Sequence, residues 1–302
     1  MSNWEIQLQS AAGQAEILKN EPMSRHTTFQ VGGPADYYIE PENAESLAAL
    51  INVCRAEDIP YTVIGKGSNL LVGDKGYRVV ILRIGEKMAF CDVEKKRIVA
   101  GAGITLAALA RNACSAGLGG LEFAAGIPGS LGGAVTMNAG AYGGEMKDVI
   151  TAVQVLTKEG EILWIAGEQM NFAYRNSAVI EQGYLVLAAE MVLEKKDVDE
   201  IKALMADLAE RRRSKQPLEY HSAGSTFKRP EGYFAGKLIE DAGLKGYAVG
   251  AACVSEKHAG FVVNKGGATA ADIMAVCSHV AETVQEKFGV SLEMEVKRLG
   301  DF

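Results

Sequence analysis

The 302-residue chain is poor in the residues from which metal and disulfide sites are made. Its five cysteines (Cys54, Cys91, Cys114, Cys253, Cys277) are scattered singly with no C-x-x-C, which argues against a disulfide framework or a thiolate metal site; most are expected in the core. Its four histidines (His26, His221, His258, His279) show no H-E-x-x-H or other ligand spacing, so neither a zinc enzyme nor a structural metal is expected. No run reaches the roughly 18 uninterrupted apolar residues of a membrane span, and the opening MSNWEIQLQS lacks the basic, apolar, small-residue order of a secretory signal. A cytoplasmic location is expected. Positive charge is scarce too: the formal charge is −7 at pH 7, which disfavours a general nucleic-acid binder. One basic stretch, ERRRSKQP at 210–217, is either the solvated end of a charged helix or a patch for an anionic small molecule.

Hydrophobic residues make up 48% of the chain, enough for one large core or two of ordinary size. ADYYIEP alternates like a short strand. NAESLAALINVCRAEDI places Leu47, Leu50, Ile51 and Cys54 at helical spacing behind an Asn43 cap, and PYTVIG reads as a strand feeding a glycine loop. This order predicts a small α/β unit in the first third. From residue 78, YRVVILRI, AFCDV and RIVAGAG read as strands and TLAALARNACSAG as a helix stopping at Gly117. VITAVQVLT and EILWIAG predict a hairpin around KEGE, and GYLVLAAEMVLE a further strand. A charged helix over 197–215 marks a boundary. The last helix, TAADIMAVCSHVAETVQEKFG, has a Thr269/Asp272 capping box and a stripe of Ile273, Val276, Cys277, Val280 and Val284; His279 falls off it and reads as a surface residue.

Residues 117–144 hold ten glycines in 28 positions and one charged residue, the acidic Glu122. A phosphate held here would have to be met by backbone N–H groups, and glycine lets amides turn inward and the backbone approach a ligand closely. A pyrophosphate loop is the functional reading; tight turns between short strands are the plain one. VIGKGSNLLV at 63–72 is a second candidate loop. Neither GKGSNL nor GAGITL is a Rossmann fingerprint, because both lack the third glycine and neither clearly opens a helix, and there is no Walker A sequence. Two nearly charge-free clusters opening from strand-like segments favour one extended ligand.

In SAGSTFKRP, Ser225 follows a glycine and precedes two β-formers, an arrangement that exposes a backbone-positioned hydroxyl beside Lys228 and Arg229. The S-x-x-K spacing of Ser225 and Lys228 also marks serine acyltransferases of the penicillin-binding type, but S-D-N and K-T-G are absent, NKGG at 264–267 being the nearest approach.

Taken in order, GKGSNLLV, GIPGSLGGAVTMNAGAYG, YRNS, AGSTFKRP and LEMEVKRLG resemble the UDP-N-acetylenolpyruvoylglucosamine reductase (UDP-N-acetylmuramate dehydrogenase) family, from RHTTFQVGG near residue 25 to RLG at 300. The resemblance implies an α+β flavoprotein with the FAD-binding fold of the vanillyl-alcohol oxidase (PCMH) type. Two α/β subdomains would fill 1–195, with a break near 75–100, and a C-terminal α+β substrate-binding domain 196–302, with the active site between them. It implies a cytoplasmic enzyme that uses FAD and NADPH to reduce UDP-N-acetylglucosamine enolpyruvate to UDP-N-acetylmuramate for peptidoglycan, and so for cell shape and division. NADPH would share the substrate pocket and leave before the UDP-sugar binds. A monomer without nucleic-acid or membrane partners is expected.

By the same resemblance, Gly65, Lys66, Gly67, Ser68, Asn69 and Leu70 line FAD, together with Ala125, Gly126, Ile127, Pro128, Gly129, Ser130, Gly132, Gly133, Ala134, Asn138 and Gly140. Arg175 of YRNS and Glu295 of MEVKRLG would stabilise the enolate that forms next to the substrate carboxylate, Glu295 as a protonated acid with a raised pKa, and Ser225 would donate the proton. Tyr174, Lys215, Lys228 and His258 would line the UDP-sugar site, the two lysines against the diphosphate. About fifty residues separate YRNS from AGSTF, as in the compact branch that lacks an inserted tyrosine loop; Arg229 stands there where the other branch has asparagine. A sugar or alcohol oxidase on the same FAD fold, which has no need of Ser225 and Glu295 together, and a nucleotide-binding module without turnover stay open as alternatives.

Overall fold

In the computed structural model of the protein residues 2–302 are described, so Met1, which opens the MSNWEIQLQS stretch, lies outside them. The chain divides into two compact units. The first comprises the chain up to Leu18, Tyr37–Lys66 and Val79–Arg212; the second comprises Lys19–Asp36, Gly67–Arg78 and Arg213–Phe302. This division differs from a cut at 195/196. The charged helix Val198–Lys215 stays with the first unit through Arg212, because Ile201 is buried and Met205 packs on that unit's core. Two early segments join the C-terminal part instead. Leu70–Val72 pairs in parallel with Lys297–Leu299, and the Asp74 carboxylate accepts from the Ala270 and Ala271 amides at 2.7 and 2.9 Å.

The first unit holds a five-stranded antiparallel sheet in the order Ile162–Ala166, Ile150–Leu156, Leu185–Val192, Arg97–Gly101, Cys91–Glu94. The hairpin predicted around KEGE is present, closed by Thr157 N donating to Glu161 O at 2.9 Å. In the middle strand Val186, Leu187, Ala188 and Ala189 are all buried, as in a strand covered on both faces. Helix Ala44–Ala56 starts at Asn43, whose side chain accepts from Ser46 N at 2.8 Å, and it buries Leu47, Leu50, Ile51 and Cys54, the four residues its spacing picks out. Strand Tyr61–Ile64 then pairs in parallel with the end of Tyr77–Arg83.

Two glycine stretches run into helices, contrary to the sequence expectation for one of them. GAGIT leads directly into helix Leu106–Ser115, capped by Thr105 Oγ1 accepting from Ala108 N at 3.2 Å, and the 117–144 segment contains the short helix Leu131–Thr136. Leu47, Leu82, Ile98, Leu106, Leu131 and Val153 belong to one buried cluster, each contributing about 1.5–3 kcal/mol by leaving water.

The second unit has its own core, built on Phe29, Leu71, Phe227, Val254 and Val262 and on the expected stripe of helix Ala270–Phe288. The capping box forms as predicted, with Asp272 N donating to Thr269 Oγ1 at 3.0 Å and Thr269 N to Asp272 Oδ2 at 2.9 Å. Ala248–Val249, Ala252–Val254 and Val262–Asn264 make a small antiparallel sheet. Ile273 is fully buried here, and truncating it to alanine would cost about 2–5 kcal/mol. Among the described residues no helix is long and apolar enough to cross a membrane.

Candidate active site

In the first unit the glycine-rich segment is docked by its backbone. Leu131 N donates to Ile104 O at 2.8 Å, Gly132 N to Ala102 O at 2.9 Å, and Leu106 N to Gly129 O at 3.1 Å. A β-carbon on Gly132 would lie 2.9 Å from Ala102 Cβ, so this glycine serves close packing. Gly65 serves a different purpose, because a β-carbon there would lie 2.6 Å from Ser130 Oγ. That hydroxyl is buried and has no hydrogen-bond partner among the described residues. Leaving such a group unsatisfied costs about 1–3 kcal/mol, so a partner is called for. An orphaned hydroxyl under a side-chain-free backbone, in a segment nearly without charge, fits the FAD that the resemblance implies; Gly65 and Ser130 are the residues that would meet it in this unit.

Of the other residues expected at the cofactor, Ala134 and Asn138 are buried, Gly126, Pro128 and Gly133 are exposed, and Ala125, Ile127, Gly129, Gly132 and Gly140 lie between. The Asn138 carboxamide is already engaged. Its Nδ2 donates to Glu145 Oε2 at 2.9 Å and to Ala173 O at 3.3 Å, and its Oδ1 accepts from Lys147 N at 3.0 Å. In the first loop Gly65 and Lys66 belong to the first unit, with Lys66 exposed, while Gly67, Ser68, Asn69 and Leu70 belong to the second.

Arg175 sits in the first unit on a tight turn: Ala173 N donates to Asn176 O at 3.1 Å and Asn176 N to Ala173 O at 3.2 Å. Its φ is +55°, a left-handed conformation that arginine rarely adopts, and its guanidinium carbon lies 5.6 Å from the centroid of the exposed Tyr174 ring.

In the second unit a short ladder joins Ser225 and Glu295. Glu295 N donates to Thr226 O at 2.8 Å, Lys228 N donates to Glu293 O at 2.8 Å, and Phe227 pairs antiparallel with Met294. Gly224, with φ +78°, supplies the turn before Ser225. The next residue, the fully buried Thr226, is fixed by donating its amide to Gly260 O and accepting Val262 N at Oγ1, both at 2.9 Å. The Ser225 side chain is exposed, whereas Glu295 is only 7% exposed. Asn69 belongs to the same neighbourhood: its Nδ2 donates to Glu295 O at 3.2 Å and its carbonyl accepts Lys297 N at 2.9 Å.

Lys228 Nζ is paired with Glu293, so the S-x-x-K spacing does not make a serine–lysine pair here. His258 is half-buried; its Nδ1 accepts from Gly260 N at 3.2 Å, and burial pulls its pKa below the ordinary value. Lys215 is exposed at the end of its helix.

Arg212, in the same basic stretch, was not singled out by sequence. It lines a cavity of about 230 Å³ in the first unit with Arg111, Phe123, Gly126, Tyr142 and Leu208. A β-carbon on Gly126 would lie 3.3 Å from Arg212 Cδ, and burial lowers the pKa of this guanidinium. The signal was the helical spacing of Met205, Leu208, Ala209 and Arg212, which turns one arginine of three inward.

Residues 216–299 match the family model of the C-terminal domain of UDP-N-acetylenolpyruvoylglucosamine reductase, and residues 35–166 match an FAD binding domain. The UDP-N-acetylenolpyruvoylglucosamine reductase of Agathobacter rectalis is 56% identical over 301 residues, covering 96% of each chain. That of Lachnoclostridium phytofermentans is 50% identical over 300 residues, covering 98% of this chain and 96% of its own. The crystal structure of UDP-N-acetylenolpyruvylglucosamine reductase from Thermus caldophilus superposes with a TM-score of 0.82 at 37% identity, over 95% of this chain and 100% of that one.

Proposed function

The chain belongs to the UDP-N-acetylenolpyruvoylglucosamine reductase family, and from that membership we propose that NADPH is its reductant and that Arg175, Ser225 and Glu295 carry its chemistry. It is an FAD-binding oxidoreductase of peptidoglycan precursor synthesis. Its substrate is UDP-N-acetylglucosamine enolpyruvate, converted to UDP-N-acetylmuramate; it works in the cytoplasm as a monomer.

FAD, which Gly65 and Ser130 would help to hold, would supply the hydride-transfer chemistry between NADPH and the enolpyruvyl group. Negative charge then builds on the carboxylate next to the reacting double bond. The Arg175 guanidinium meets that carboxylate in a fork of two N–H donors, and Glu295, as a neutral acid, donates a further hydrogen bond. Both interactions strengthen as the enolate forms, so they lower the barrier and not merely the ground state. Ser225 Oγ then delivers a proton to the carbon beside the carboxylate, completing the lactyl ether. A hydroxyl is a weak acid, but an enolate carbon is a strong enough base to take its proton. Tyr174, Lys215, Lys228 and His258 bind the UDP-sugar, for which Lys228 has to leave Glu293.

The observation that carries this reading is the ladder of the second unit, which ties the Glu295 backbone to the residue after Ser225 and so puts an acid and a hydroxyl on one rigid element. The test is a visible spectrum without oxygen. A yellow protein that bleaches with NADPH and recovers its colour with UDP-N-acetylglucosamine enolpyruvate supports the reading. A flavin that bleaches but recovers only with oxygen points to an oxidase instead. Sedimentation velocity checks the monomer.

A further inference from the structure

The turn that carries Arg175 is tied to the glycine-rich segment by two side chains, Ser177, which has no expected role at FAD or substrate, and Asn138, which is also expected at FAD. Ser177 is fully buried, and its Oγ donates to Thr136 O at 2.8 Å, at the end of the short helix Leu131–Thr136 that Ser130 precedes. Asn138, two residues further along, donates its Nδ2 to Ala173 O at 3.3 Å and to Glu145 Oε2 at 2.9 Å. Glu145 pairs with Lys147 Nζ at 2.8 Å, and this lysine first, then Asn138 and the Arg175 charge, hold the Glu145 carboxyl below its ordinary pKa.

These bonds are not needed to form the turn. Ala173 and Asn176 already satisfy each other's N–H and C=O groups, so the loop would close without Ser177 and Asn138. What they add is its place. An arginine at φ +55° on a short turn swings its guanidinium through a wide arc if the turn tilts, and two anchors that flank Arg175 in sequence, at Ala173 and Ser177, oppose that tilt. We propose that Ser177 and Asn138 are positioning residues that hold Arg175 in register with the glycine-rich cofactor segment. This rests on the proposed role of Arg175 at the substrate carboxylate.

The experiment compares the FAD-loaded wild type, Ser177→Ala and Ser177→Thr, the last of which keeps the hydroxyl. Limited trypsin digestion under native conditions reads cleavage after Arg175 against cleavage after Lys95, an exposed residue in another turn of the same unit. In Ser177→Ala the ratio is expected to rise about tenfold, since such cleavage follows the population of the opened segment. Flavin content and the rate of flavin reduction by NADPH stay near wild type, while reoxidation by the UDP-sugar slows by roughly 10- to 100-fold, the scale of a displacement near 1 Å. Ser177→Thr recovers most of both losses. An unchanged cleavage ratio, or FAD content and both half-reactions falling together in Ala and Thr alike, would overturn the proposal. If Ser177→Ala does not accumulate folded, Asn138→Ala is read by the cleavage ratio alone, because Asn138 is also among the residues expected at FAD; an unchanged ratio there overturns the proposal. A wild type that never reoxidises with the UDP-sugar would sink the assigned substrate, whereas the proteolysis ratio would still decide the positioning.

Discussion

Ser130 Oγ lies 2.6 Å from where a β-carbon on Gly65 would stand. The buried hydroxyl and the missing side chain are parts of one device: the glycine leaves the space and the serine turns a polar atom into it without a partner among the described residues. Gly65→Ala is therefore expected to lower FAD affinity about tenfold or more, close to 1.4 kcal/mol, with little change in the stability of the FAD-free protein. Fluorescence titration of the apoprotein with FAD measures the first, and urea unfolding the second. Equal FAD affinity would mean that the alanine methyl is accommodated by rotating Ser130 and that the pocket does not need this space.

Ser225 is held by its neighbours and is itself exposed, which suits a group that must reach a substrate. Ser225→Ala is expected to leave flavin reduction by NADPH within about twofold of wild type while slowing reoxidation by UDP-N-acetylglucosamine enolpyruvate by about 10²–10⁴-fold, the range of general acid catalysis. Rapid mixing without oxygen separates the two steps. Equal damage to both would remove Ser225 from the proton-donor role.

Glu295→Gln keeps the shape of a buried side chain and one donor group while removing the acid. A loss of about 10²-fold or more is expected in the same second half-reaction, the scale for removing one donor aimed at developing charge. Turnover close to wild type would assign the carboxyl to structure.

The periodic elements were legible because their burial alternates. The stripe from Ile273 to Val284, the Leu47 to Cys54 face and the KEGE hairpin each follow from side-chain spacing. The glycine-rich helix Leu131–Thr136 was hidden, because glycine is a poor helix former and the backbone bonds to Ala102 and Ile104 that support it join residues distant in sequence. The unit boundary was hidden for the same reason: no local pattern announces that Leu70–Val72 will pair with Lys297–Leu299. At the site, motif order pointed to Arg175, Ser225 and Glu295, but motifs do not distinguish a residue that meets a ligand from one that holds its neighbour. Asn138 in GIPGSLGGAVTMNAGAYG and Ser177 in YRNS illustrate the difficulty, since the side chains of both bond to backbone carbonyls, a contact that motif order does not announce.

The five thiols are expected to be slow. Burial pushes Cys277 up to about 12 and Cys54 up to about 11, and Cys91 is raised for the same reason although it is only half-buried. Because the thiolate is the reactive form, and because Cys114 and Cys253 are buried away from the reagent, Ellman's reagent at neutral pH should label at most Cys91 in the native protein within minutes, and all five after unfolding. Rapid native labelling of Cys277 would show that the helix Ala270–Phe288 opens far more readily than its buried stripe allows.

His258 sets the sign of one pH effect. Its Nδ1 accepts the Gly260 amide, which requires an unprotonated nitrogen, and burial, followed by the smaller influences of its own backbone bond, Lys245 and Glu240, leaves its pKa below the ordinary value. The unfolded chain binds the proton more readily than the native one, so stability rises with pH across the interval between the two pKa values. The contribution is complete above the unfolded value, about 6.5, and is lost as pH falls through the native one. Urea midpoints measured from about pH 7.5 to pH 5 should fall more steeply for the wild type than for His258→Gln, because glutamine has no proton to gain. Parallel profiles would mean that the native imidazole titrates as it does in the unfolded chain, and that protonation leaves its contact with Gly260 undisturbed.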